Sequence, residues 1–155
     1  DEPAYRRYAI VRSLVERQRQ RRDGRDIESV TPLMERFKHE LRTETDTARR
    51  REQDLWSVAL EARMQLEAGD PQRAIDFLLM RVQRFTSQGG DEDLAELHVL
   101  LAQAYQMVGD HAGAERYFRY AQQKLPADSG LNADILLGLG QLALLSTGES
   151  NVQQA

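Results

Sequence analysis

The stretch LHVLLAQAYQMVGDHAGAERYFRYAQQKLP, residues 97–126, decides the fold class of this chain. With Leu94 ahead of it, apolar residues fall at Leu94, Leu97, Leu101, Tyr105 and Val108. Spacings of three and four put them on one face of a helix. Gly109-Asp110 then reads as a stop followed by a start. Glycine accepts the left-handed backbone that ends a helix, and an aspartate oxygen accepts from the free N–H groups that open one. Ala114, Tyr117, Phe118 and Ala121 mark the apolar side of a second helix, expected over His111 to Leu125, and Pro126 closes it. The stretch is therefore a helical hairpin. Period-two alternation is scarce along the whole chain, so no sheet is expected.

Working outward, the same punctuation recurs. Gly69-Asp70 precedes Gly109-Asp110 by 40 residues, Ala74 matches Ala114 at the same offset, and Gly148-Glu149 follows 39 residues later. A helix over about Thr47 to Ala68 carries Trp56, Leu60 and Met64 on one face. Asp70-Pro71 opens the next, with Ala74, Ile75, Leu78, Leu79, Val82 and Phe85. Thr86 to Gly90 reads as a loop, and Asp91, Glu92 and Asp93 as three acids in a first turn, where the helix dipole favours them. Leu131 to Ser146 reads as a strongly apolar helix stopped at Gly148.

Towards the N-terminus, Ala4, Tyr8, Val11 and Val15 form an apolar stripe on a helix expected from about Pro3 to Arg22. Asp26 to Thr31 reads as a turn, with Thr31 capping a helix whose first residue is Pro32. Leu33, Met34, Phe37 and Leu41 then form a short stripe. A break is expected at Thr43 to Thr47, with Asp46 as the new cap; one continuous long helix is the competing reading.

Residues 101–126 carry a resemblance to the tetratricopeptide repeat (TPR) family. Leu101, Ala102, Tyr105, Gly109, Ala114, Phe118, Ala121 and Pro126 stand at that family's signature spacings, with His98 where a large apolar residue is usual. The flanking units match less: Glu61, Gln65 and Arg81 depart from the pattern around Gly69. The separations of 40 and 39 residues exceed the family's unit of about 34, and the excess can sit in loops. The resemblance implies an all-α fold, antiparallel hairpins stacked as a TPR-like α-solenoid. About two and a half repeats would fill residues 55–155, behind an N-terminal helical segment at 1–54 that forms a cap or an extra hairpin.

The resemblance also implies a concave face made by the first helix of each hairpin. Its inward positions would be Trp56, Ala59, Arg63, Leu66 and Glu67, then Glu96, Val99, Gln103, Gln106 and Met107, then Asp134, Leu137, Gln141 and Leu144. Candidate partner contacts are Trp56, Arg63, Glu96, Gln103, Gln106 and Gln141, with packing against the N-terminal helices the favoured alternative for Trp56. One subclass of the family clamps a peptide carboxylate with Lys and Asn. Here Ala59, Arg63, Leu100, Asp134 and Gly138 occupy those places, so no such clamp is expected.

Composition bounds the chemistry. The chain has 155 residues, a formal net charge of -4 and no cysteine, which excludes disulfides, zinc ribbons and thiol nucleophiles. It opens at Asp1 without an initiator methionine and is expected to be a piece of a longer protein. No apolar run reaches the roughly 18–20 residues that span a bilayer. His39, His98 and His111 are scattered, no serine has a nucleophile-elbow context, and Gly138-Leu139-Gly140 lies inside an apolar helix, where it serves packing. No enzyme activity, metal or cofactor is expected.

Charge is uneven: residues 1–54 hold 14 basic and 12 acidic groups, and residues 55–155 hold 7 and 13. Arg17, Arg21, Arg22, Arg49 and Arg50 could form an anion-binding patch, but acids alternate with them and no aromatic sits among them. The expectation is a soluble protein–protein interaction scaffold that binds a partner peptide or helix. Self-association through the 131–155 end is open, because Ile135 to Leu145 is apolar nearly all round. Nucleic acid is not the expected partner, and no membrane insertion is expected. The alternatives are an RNA-associated or anionic-ligand domain using the Arg clusters, and a regulatory domain of an enzyme or of a vesicle-tethering complex subunit.

Overall fold

A computed structural model describes residues 6, 8–15, 27–43, 46–89 and 94–153. Among the described residues there are seven helices and no strand, so the protein is all-α. The chain divides into two compact units, Asp1–Phe77 and Leu78–Ala155. Helix α1 covers residues 8–15. The others are α2 (Ile27–Thr43), α3 (Thr47–Glu67), α4 (Pro71–Ser87), α5 (Ala95–Met107), α6 (His111–Lys124) and α7 (Leu131–Gln153).

The first unit is held by a cluster of Tyr8, Val11, Val15, Met34 and Leu60. Tyr8, Val11 and Val15 recur at three and four, so α1 buries one stripe, as its sequence pattern requires. Leu14, Leu33, Trp56 and Met64 pack against that cluster. Ala4, the predicted extension of the stripe, and residues 16–26 lie outside the described residues, as do the side chains of Phe37 and Leu41. Helices α2 and α3 pack on one another. Lys38 ties them with an ion pair of 3.3 Å to Glu61 and also meets Glu35 at 3.5 Å.

The break between α2 and α3 falls where expected. Asp46 Oδ1 accepts from the Arg49 N–H at 3.0 Å and caps α3. The expected start of α2 is corrected. Pro32 does not open the helix but lies inside it, because α2 begins at Ile27. Proline has no N–H to return to the carbonyl four residues earlier, that of Glu28. So close to the helix start, only that carbonyl loses its bond, and the helix runs through.

The two Gly-Asp links are built alike. Gly69 and Gly109 have φ of 80° and 83°, the left-handed region that side chains rarely adopt. In the first link the Gly69 N–H donates to Leu66 O at 3.0 Å and the Asp70 N–H to Gln65 O at 3.0 Å. In the second, Gly109 donates to Gln106 O at 3.2 Å and Asp110 to Tyr105 O at 3.0 Å. This crossed pair satisfies carbonyls that a helix end leaves open. The same aspartates then cap the next helix. Asp70 Oδ1 accepts from Arg73 N–H at 3.2 Å, and Asp110 Oδ1 from Gly113 N–H at 2.9 Å. Pro71 occupies the first position of α4, where a missing N–H leaves no bond unmade.

Two other ends differ from expectation. Helix α4 takes in Thr86 and Ser87, which read as loop, because the left-handed residue that stops it is Gly89, φ 95°. Asp91, Glu92 and Asp93 lie outside the described residues. Helix α5 opens at Ala95, so the acid in its first turn is Glu96.

In the second unit α5 packs along α6, α6 packs on α7, and α5 touches α7. Val99, Ala102, Ala114, Phe118, Ala121, Ile135 and Leu142 form the core. Three of these are alanines, which lets helix axes approach closely. Gly113 is small for a similar reason: a Cβ there would lie 2.7 Å from Asp110 Oδ2 and 3.0 Å from Tyr105 Cδ1. Tyr105 stacks on Tyr117 with ring centroids 5.5 Å apart. His98, at the position expected for a large apolar residue, is buried, with its ring 6.0 Å from Tyr117 and 5.8 Å from Tyr120.

Gly148 does not stop α7, which continues to Gln153. Gly69 and Gly109 are each followed by an aspartate that caps another helix. Gly148 is followed by Glu149, a poor N-cap. A glycine alone weakens a helix by about 1 kcal/mol without ending it. Although α7 is long and rich in leucine, no helix among the described residues is long and apolar enough to cross a membrane.

The two central glycines of α7 differ in role. A Cβ at Gly138 would lie 2.9 Å from Phe118 Cε1 and closer still to two other ring carbons, whereas at Gly140 it would meet nothing within 4 Å. Gly138→Ala is expected to destabilise by about 1–3 kcal/mol through overpacking. Gly140→Ala should stabilise by about 0.5–1 kcal/mol through helix propensity alone. Urea unfolding of both variants reads the difference, and equal effects would contradict the Phe118–Gly138 contact.

Candidate functional site

The sequence-derived contact residues fall in both units. Trp56 lies on α3 and is only partly exposed. Its ring stacks on Tyr8, with centroids 5.0 Å apart and planes 21° from parallel. The indole therefore forms part of the first unit's interior. Arg63, two turns further along α3, is buried, as are Ala59 and Leu66. Of the positions implied on α3, only Trp56 and Glu67 keep partial exposure.

Arg17, Arg21 and Arg22 lie outside the described residues. Arg49 and Arg50 are exposed in the first turn of α3. That turn holds no acid. The Asp46 carboxylate that caps α3 lies at the same helix end and offsets part of the positive charge there.

The second unit brings its candidates together. On α5, Glu96, Gln103 and Gln106 recur at seven and three, one side of the helix, and each is half-buried. Val99, on the same implied stripe, is buried in the core. Gln141 lies exposed on α7, and the Gln106 Nε2 donates to its Oε1 at 2.8 Å. This bond joins the two helices at the surface, 35 residues apart in sequence. Amides both donate and accept, so Gln106 and Gln141 together keep further donors and acceptors for another chain. The stripe offers hydrogen bonds, with Glu96 as its one charge. Met107, Leu137 and Leu144, also implied as inward positions, are exposed.

Comparison with protein-family models, curated proteins and solved structures returned no match.

Sequence reasoning did not single out the group around Tyr117. That ring contacts Tyr105, His98 and Tyr120, and the Arg116 guanidinium carbon lies 5.2 Å from its centroid. The available signal was the Tyr117 to Tyr120 spacing, which on a helix turns both rings to neighbouring positions.

The protein has one tryptophan, so its fluorescence reports on the first unit. Tyr8→Ala removes a buried ring and the Trp56 stack. It is expected to destabilise this unit by about 3 kcal/mol and to shift native Trp56 emission to longer wavelength. Unchanged emission in the folded variant would contradict the stack.

Proposed function

We propose that this protein is an interaction scaffold of stacked tetratricopeptide-like hairpins, binding a partner peptide or helix through the amide stripe of its second unit. The observation that carries the reading is the repeated Gly-Asp link. Two helix junctions 40 residues apart use the same crossed backbone bonds and the same aspartate cap. The packing of several residues that carry the resemblance supports the reading. Ala102, Ala114 and Ala121 sit at close helix contacts, and Phe118 fills the space between α6 and α7.

Hairpins of this kind bury one face against a neighbour and offer the other for recognition. In the second unit that other face is Glu96, Gln103, Gln106 and Gln141. Its chemistry favours a partner that presents backbone amides or neutral polar side chains, with a basic group able to reach Glu96. Trp56 is held by Tyr8 and Arg63 is buried, so the recognition role is assigned to the second unit.

A peptide selected from a random display library against this protein provides the test. Gln103→Ala combined with Gln106→Ala should weaken its binding by about tenfold or more, since a few central residues carry most binding energy. Reversing Arg49 and Arg50 to Glu should leave affinity unchanged, and the salt dependence should be shallow. Wild-type affinity in the double-Gln variant would refute the reading. Binding that needs Arg49 and Arg50 and falls steeply with salt would replace it with the anionic-ligand alternative.

A further inference from the structure

The outer face of α7 carries four exposed leucines of the second unit. Leu136 and Leu137 are each 62 % exposed, Leu144 74 % and Leu145 47 %. The opposite side of the same helix carries the buried Ile135, Gly138 and Leu142. Soluble proteins rarely leave large side chains in such a cluster unless it meets something.

The centre of the exposed face is Gly140. Residues three and four away flank a given position on a helix, so Leu136, Leu137, Ala143 and Leu144 surround it. All four are exposed. The result is a shallow hole with a glycine floor and a rim that is mostly leucine. Gly138 is explained by the Phe118 ring, but nothing among the described residues explains Gly140, whose Cβ would meet none of their atoms within 4 Å. A mid-helix glycine on a solvent face lowers helix stability, and close approach by another backbone or side chain is the standard compensation. The leucines and the glycine are thus two independent signs of one contact.

We infer that this face pairs with the same face of a second copy of the chain, the two α7 helices crossing antiparallel about a two-fold axis at Gly140. Two features select a second copy over another partner. No charged residue occurs between Asp134 and Glu149, so the face gives a charged partner nothing to pair with and meets no repulsion from itself. One surface supplies both knob and hole, since Leu137 or Leu144 of one copy fits the glycine-floored hole of the other, as an isologous contact requires. The pairing leaves the fold of each copy unchanged, and it borders the amide stripe at Gln141 on α7.

Sedimentation velocity of the whole chain across roughly 10 µM to 1 mM tests this. A reversible monomer–dimer equilibrium is expected. Gly140→Glu should weaken it by at least about tenfold, because the axis places two like charges together. Its open Cβ position leaves folding intact, which urea unfolding checks. Leu137→Glu should act in the same direction. Mixing Gly140→Glu with Gly140→Lys should restore pairing above either variant alone, since only a two-fold centre at residue 140 brings those two side chains together. A wild type that stays monomeric throughout overturns the inference. So does a dimer that both Glu variants leave intact, or a mixture no tighter than its components.

Discussion

The two-residue Gly-Asp link is the constraint on which the hairpins depend. A helix end leaves carbonyls unbonded, and a helix start leaves N–H groups unbonded. In a chain built from helices alone, each junction must resolve both deficits. Gly69 and Gly109 resolve the first by adopting positive φ, and Asp70 and Asp110 resolve the second with a side-chain oxygen. No linker length is spent, so the following helix starts at once, and after Gly109-Asp110 α6 turns back along α5. Each cap is worth about 1 kcal/mol, small beside the burial of a helix face. Its importance lies in fixing where that face begins.

Once the turn is fixed, side-chain size decides how closely the helices lie. Ala102, Ala114 and Ala121 keep the contact between α5 and α6 narrow, and Phe118 projects beyond them towards α7. A ring of that size needs a place without a Cβ, and Gly138 provides it. Phe118 is thus tied to a glycine 20 residues away by sterics rather than attraction. The aromatic stack of Tyr105, Tyr117 and His98 covers a neighbouring part of the same helix pair. His98 can stand where an aliphatic residue is usual because its ring has another ring to lie against.

Much of this was legible in the sequence, for reasons that differ by residue. Local signals with one physical meaning read correctly: Asp46 as a cap, Gly109-Asp110 as a link, and the three-and-four spacing of α5. Signals with two meanings did not. A proline marks a helix start only when nothing upstream is helical, and Pro32 fails that condition. A glycine ends a helix when its successor can cap another, which separates Gly109 from Gly148. The all-round apolarity of α7 hid the division between its two sides. Gly138 and Gly140 are two residues apart and look identical in sequence, yet only the fold shows which one faces Phe118. Trp56 reads in sequence both as a recognition residue and as packing against the N-terminal helices, because tryptophan suits interfaces and interiors alike, and the stack on Tyr8 shows the packing contact.

The second unit therefore has two outward surfaces of different chemistry, set by one helix order. On α5 the outward residues include Glu96, Gln103, Gln106 and Met107, and the outer face of α7 between residues 136 and 145 is leucine, alanine and glycine apart from Gln141. The Gln106–Gln141 bond lies where the two helices meet. An exposed amide–amide bond contributes little net free energy, because water offers both groups nearly equivalent partners. A partner's backbone can replace it with little loss, which suits the α5 stripe to reversible polar recognition. The leucines of α7 have no such exchange open to them, since water makes no comparable bond to a methyl group. That face gains only by losing its contact with water, and a neutral surface of its own shape is the partner that removes the most water without stranding a charge.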